Sequence, residues 1–250
     1  MSVSRTVAVL PARYGSERFP GKPLAMIAGK PMIQHVYERV CQAAVDEVVV
    51  ATDDSRIQEC VLQFGGKVVM TSPNHPTGTD RIAEAVENLD ADLILNVQGD
   101  EPTIPPTVLT DLLAYMREHP EVPMGTVARV LDQNGPEAYD PNVVKVVLNA
   151  KQHALYFSRS TIPYARGERG VGSQLLHHWG VYAYRRDFLY QFINWPQGAL
   201  EQCEKLEQLR ALENGASIFV LVSDGRPVGV DVPEDVAKVE ALLAQEGELQ

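Results

Sequence analysis

Cysteine is scarce. The chain carries three in 250 residues, Cys41, Cys60 and Cys203, and none forms a CxxC pair. So sparse and odd a set excludes a disulfide scaffold and points to reduced thiols. Cys41 and Cys60 fall in helix-like stretches, where they read as core fillers and not as nucleophiles or metal ligands. Apolar runs are short as well, and none approaches the roughly 18 residues of a membrane span. Met1–Arg5 leads almost directly into an apolar strand, without the pattern of a secretory leader. A chain that contacts no membrane and stays in the cytoplasm is expected. Positive charge is in deficit too, with 22 Lys and Arg against 33 Asp and Glu, a formal net charge of −11. Such a field repels nucleic acid, so a polyanionic ligand must be met by a local cluster of cations or metal ions. No internal repeat and no long linker is present, and residues 1–250 read as a single domain.

What is present is a βα rhythm. With 45% hydrophobic residues the chain has material for a sizeable core. Thr6–Leu10, Glu47–Ala51, Val68–Met70 and Leu93–Val97 read as short buried strands. Between them Ile33, Val36, Tyr37 and Val40 recur at helical spacing after Pro31. Arg56–Phe64 closes on Gly65-Gly66, and a helix is expected near Arg81–Asn88. The pattern implies an α/β fold, Rossmann-like, with a mixed, mainly parallel sheet and helices on both faces. Ligands of such sheets bind beyond the carboxyl ends of the strands. The second half differs. Val143–Leu148 and Ala154–Phe157 suggest a hairpin, Arg166–Ser173 a glycine-rich loop, and Val181–Tyr184 and Ile218–Val222 further strands. Leu200–Glu213 reads as one amphipathic helix and Pro233–Ala244 as the last. An inserted β-rich lobe in one domain accounts for the change of pattern.

Three segments carry chemistry. Pro11–Leu24 begins where a strand ends and places Arg13, Arg18 and Lys22 among small residues on what reads as an exposed loop. Gly15, Ser16 and Gly21 allow backbone N–H groups to approach phosphate oxygens while the cations neutralise charge. The loop is not a P-loop, because five residues separate Gly15 from Gly21 and Pro23 follows Lys22 where a hydroxyl is needed. Asn96–Pro102 brings Gln98, Asp100 and Glu101 to the same edge, and Asp100 is a hard oxygen donor suited to Mg²⁺. Gly229–Asp235 adds Asp231, either a helix-capping carboxylate or a second metal ligand. Two carboxylates beside a cationic phosphate loop suit metal-assisted phosphoryl or nucleotidyl transfer.

Pro11–Leu24, Asn96–Pro102, Ala154–Arg159, His178–Tyr182, Leu206–Arg210 and Gly229–Asp235, in that order, resemble the 3-deoxy-manno-octulosonate (Kdo) cytidylyltransferases. Phe19 departs from the Leu common there, and Ser223–Val228 is particular to this chain. The resemblance implies a glycosyltransferase-A-like fold, a homodimer, and activation of Kdo with CTP and Mg²⁺ for lipopolysaccharide synthesis. By position it implies that Leu10, Ala12, Arg13, Ser16, Arg18, Lys22, Ala51, Thr52, Asp53, Ser72, Gly78, Arg81, Gln98 and Asp100 surround CTP. Gln98, Arg159, His178, Tyr182, Glu207 and Gln208 would bind the acidic sugar, and Asp100 and Asp231 the metal. Residues 1–130 would then be mainly the CTP half and 131–250 the sugar-binding and dimerisation half. A related sugar (8-amino-Kdo or sialic acid) and a non-catalytic nucleotide-binding regulator are the alternatives. Retention of Lys22, Asp100 and Asp231 speaks against the regulator.

Overall fold

The computed structural model describes residues 4–15, 19–166, 174–225 and 227–248, and Ser16, Arg18 and most of the Arg166–Ser173 loop lie outside them. The chain forms two compact units, Met1–Thr110 with Arg226–Gln250, and Asp111–Gly225. The boundary between the units falls after Thr110 and again after Gly225. The second unit is an insertion in sequence, and the C-terminal segment, Asp231 included, belongs with the first unit.

The first unit opens with β1 (Thr6–Ala12), the ribbon β2 (Met26–Ile27) and β3 (Lys30–Pro31), and α1 (Met32–Val40). It continues through β4 (Glu47–Thr52), α2 (Ser55–Gln63), β5 (Val68–Met70), α3 (Gly78–Ala85), β6 (Leu93–Asn96) and the start of α4 (Pro106–Glu118). β1 pairs in parallel with both β4 and β6, and β4 with β5. The valines and leucines of β1, β4 and β6 are almost wholly buried, as expected of parallel strands covered by helices. α2 starts at an Asp54 cap and α3 at a Thr77 cap, each side chain accepting from a first-turn N–H. Cys41 corrects the sequence reading: it ends α1 on the exposed side, and Cys60 is only half-buried.

In the second unit β7 (Met124–Val130) pairs in parallel with β11 (Ile218–Ser223) and antiparallel with β10 (Leu176–Arg185). β8 (Lys145–Leu148) pairs antiparallel with β10 and forms the expected hairpin with β9 (Ala154–Ser158). After α5 (Arg186–Asn194), Leu200–Glu213 is not one helix. It splits into α6 (Ala199–Glu204) and α7 (Leu209–Glu213), because Lys205 takes a left-handed φ of 55°. Arg159 shows why: its guanidinium takes the carbonyl of Glu204 at 2.7 Å and that of Lys205 at 3.4 Å, acceptors an unbroken helix would use itself. The chain then returns to the first unit and ends in α8 (Asp235–Glu248).

Candidate active site

Because β1, β4, β5 and β6 run parallel, their carboxyl ends share one edge of the first unit. There a cavity of about 300 Å³ is lined by Ala12, Arg13, Lys22, Gly78, Gln98 and Asp100, among others. The volume is within the range of small-molecule pockets.

Lys22 is built into this cavity. Gly21 adopts φ 72° and its N–H donates to the Tyr14 carbonyl at 2.9 Å, closing the base of the loop before a 3₁₀ turn at Lys22–Leu24. A Cβ at Gly21 would stand 3.1 Å from the Tyr14 ring, so both backbone and space call for glycine. The sequence reading of an exposed loop lysine is corrected, since the Lys22 side chain is only 14% exposed. Its ammonium donates to Asp100 Oδ2 at 2.6 Å and to the Val230 carbonyl at 2.8 Å, and Asp231 Oδ1 lies 3.6 Å away. Asp231 reaches this point because Val230 N–H donates to the Asp100 carbonyl. A Cβ at Gly229 would meet Glu101 Oε1 at 3.2 Å, so glycine lets the two segments lie together. At the start of α8 the Asp231 N–H donates to Asp235 Oδ2 at 3.1 Å. Glu101 is the residue sequence reasoning underrated. Burial first, and then the negative charge of Asp100 and Asp231, push its carboxyl up to about 8 despite Lys22.

The other nucleotide candidates divide. Arg13 is fixed by two carbonyls, with Nη2 donating to His75 at 2.9 Å and to Thr77 at 3.0 Å. Arg81 is fully buried, paired with Asp53 at 3.0 Å and donating to Thr71 Oγ1 at 2.5 Å. It thus braces the ends of β4 and β5, while its buried Nε has no hydrogen-bond partner among the described residues. Leu10, Ala51 and Thr52 are wholly buried. Ser72 N–H is taken by Glu84, and Gln98 donates to Asn96 Oδ1 at 3.3 Å.

In the second unit, His178, Tyr182 and Glu207 come together. The His178 ring lies edge-on to Phe157 and 5.4 Å from the Tyr182 ring, and its Nε2 is 3.1 Å from Thr126 Oγ1. The pairing of β10 with β7 shifts register between Trp179 and Tyr182. Burial, reinforced by His177, lowers the His178 pKa to about 3, so it is neutral at pH 7. Burial, then the charge of Glu207, raises that of Tyr182. The turn that splits the expected helix holds Glu207 and leads to Gln208, whose buried amide nitrogen lacks a partner among the described residues. Arg159 stands differently. Its guanidinium serves the carbonyls of Glu204, Pro141 and Lys205, and its N–H donates to the Glu204 carboxylate. Lys145, unremarked in sequence, is wholly buried beside it and donates to the Asp140 and Arg159 carbonyls.

A model of the family described as Cytidylyltransferase matches residues 7–218. A 3-deoxy-manno-octulosonate cytidylyltransferase of Syntrophotalea carbinolica is 54% identical over 94% of this chain and 97% of that protein. One from Escherichia coli is 49% identical over 98% of each. The chain belongs to the 3-deoxy-manno-octulosonate cytidylyltransferase family. It is a nucleotidyltransferase. A solved structure described as CMP:2-keto-3-deoxy-manno-octonic acid synthetase complexed with CTP superposes with a TM-score of 0.92 at 49% identity, covering 97% of this chain and all of the other. The 4-diphosphocytidyl-2C-methyl-D-erythritol synthase of Anaerococcus prevotii shares the fold, at TM-score 0.65 and 11% identity over 96% of each chain. No helix among the described residues is long and apolar enough to cross a membrane.

Proposed function

We propose that this cytidylyltransferase joins Kdo to CMP, consuming CTP and releasing pyrophosphate. The observation that carries the chemistry is the Lys22 ammonium held between Asp100 and Asp231 at the cavity rim. Two partly exposed carboxylates sharing one cation offer hard oxygen donors, and the described residues hold no cluster of three or more protein ligands. That donor set fits Mg²⁺, which keeps waters and takes its remaining oxygens from substrate phosphates. Asp100 and Asp231 would hold it. When bound, the ion supplies neutralisation of phosphate charge.

The anomeric hydroxyl of the sugar forms a new bond to the α-phosphorus of CTP as the bond to the bridging oxygen of pyrophosphate breaks. Lys22, at the cavity, contributes charge to the phosphates and Arg13 adds a second cation, so the protein acts by positioning and electrostatics. Residues Ser16 and Arg18, expected on the same phosphates, lie outside the described part. On the sugar side, neutral His178, Tyr182, Glu207 and the unsatisfied Gln208 amide form a polar set suited to a polyhydroxylated ligand, since buried donors without partners are costly unless a ligand meets them. A cytoplasmic homodimer belongs to the same reading. Pyrophosphate release measured with CTP, UTP and ATP against Kdo, 8-amino-Kdo and sialic acid tests it. Release with CTP and Kdo above all other pairs is expected, and preference for another sugar would reassign the substrate.

A further inference from the structure

Arg13 is an exposed side chain, yet its guanidinium has two main-chain acceptors. It is held by the carbonyls of His75 and Thr77, in the loop that joins β5 to α3. That loop has little regular structure to keep it in place. Thr71 N–H donates to the Thr52 carbonyl, Asn74 N–H to Ser72 Oγ and the Thr77 hydroxyl to Asp80 at the start of α3, and a carboxylate further along the helix adds two more contacts. Glu84 Oε2 accepts from Ser72 N–H at 2.9 Å and also contacts His75 Nε2 in a short hydrogen bond. One carboxylate thus fastens both Ser72, the second residue of the loop, and His75, whose carbonyl holds Arg13. Gly78, which lines the cavity, opens the helix on which Glu84 sits.

We propose that Glu84 and His75 are positioning residues for nucleotide binding: the Glu84 carboxylate pins the Ser72–Thr77 loop, and the loop's carbonyls aim Arg13 at the cavity. The contacts His75 makes to Glu84 and Ser72 makes to Glu84 also hold the Glu84 pKa below its ordinary value, which agrees with an ionised carboxylate at this point. Without the pin, Arg13 regains the rotamer freedom of a long surface side chain, and a ligand must order it again on binding. The proposal rests on the CTP reading for its ligand. Neither residue touches the reacting atoms.

The test is a double-mutant cycle read by binding of CTP with Mg²⁺ in the calorimeter, which needs no sugar. Glu84→Ala should weaken CTP binding by roughly tenfold and raise KM for CTP by a similar factor, leaving KM for the sugar within about twofold. Glu84→Gln, which keeps an acceptor for Ser72 N–H, should recover binding to within about threefold of wild type. Once Arg13 is replaced by Ala, removing Glu84 as well should weaken binding by less than about twofold further, since coupled positions are not additive. Full additivity of the two losses, or equal losses for CTP and sugar in Glu84→Ala, would show Glu84 to be merely structural and overturn the proposal. A wild type that binds no CTP would overturn the CTP reading as well, and is told apart because it appears before any substitution.

Discussion

Replacing Lys22 with Met keeps the length and apolar stem of the side chain and removes only the charge. In the structure this takes away the ion pair to Asp100 at 2.6 Å, the bond to the Val230 carbonyl and the charge 3.6 Å from Asp231. Breaking a fully buried pair costs about 3–5 kcal/mol. Here the Asp100 and Asp231 side chains are 33% and 57% exposed, so water screens what remains and about 1–2 kcal/mol is expected. The rate should suffer more. Loss of one positioned charge at a reacting phosphate costs on the order of 10²-fold, close to 3 kcal/mol of transition-state stabilisation. Two assays separate these quantities: urea unfolding, and pyrophosphate release with CTP varied. Mg²⁺ should raise the melting temperature of the variant more than that of the wild type, because a cation replaces the missing charge between the carboxylates. A kcat within threefold of wild type would refute the reasoning and return Lys22 to an ordinary ion-pairing lysine. Destabilisation well beyond the screened figure would instead make it a folding residue.

Other expectations follow from the same geometry. Excess EDTA should abolish turnover and added Mg²⁺ restore it, since Asp100 and Asp231 offer oxygen donors that need a cation. Undiminished pyrophosphate release in EDTA would contradict this. Stability should fall on mild acidification because His178 is neutral in the fold, with its pKa lowered to about 3, and takes a proton when unfolded. Its contribution is complete above the ordinary histidine value of about 6.5 and lost as pH falls from there towards 3, reaching about 2 kcal/mol at pH 5. Urea unfolding at pH 7.5 and 5.0 should show that extra loss in wild type and not in His178→Gln. Arg159→Lys should lower stability by about 1–3 kcal/mol, because one ammonium cannot serve three carbonyls in the place of a guanidinium. An unchanged melting curve with a selective rise in KM for the sugar would give Arg159 to the sugar's carboxylate after all.

The strands that place the cavity are legible because β1, β4 and β6 are nearly unbroken apolar runs, and their loops hold the unusual polar residues. The pairing of Asp100 with Asp231 came from position and resemblance, and the structure places both at Lys22. Less was legible where tertiary contacts decide. Leu200–Glu213 is composed of good helix formers, and nothing local announces the break at Lys205 that supplies carbonyls to Arg159. β7 escaped notice because Gly125, Thr126 and Arg129 interrupt its apolar pattern, although Met124–Ala128 is buried throughout. Lys145 lies unremarked in an expected strand, yet it is enclosed and donates to the carbonyls of Asp140 and Arg159. Glu101 is similar, since burial first, and then the charges of Asp100 and the distant Asp231, raises its pKa.

Phosphorus NMR of the enzyme with CTP, Kdo and Mg²⁺ reads the proposed bond changes directly. Loss of the CTP resonances should be matched by equal amounts of pyrophosphate and a sugar-linked CMP diester, with neither forming when Kdo is omitted. Release of inorganic phosphate, or pyrophosphate accompanied by free CMP and no diester, would contradict attack of the sugar on the α-phosphorus.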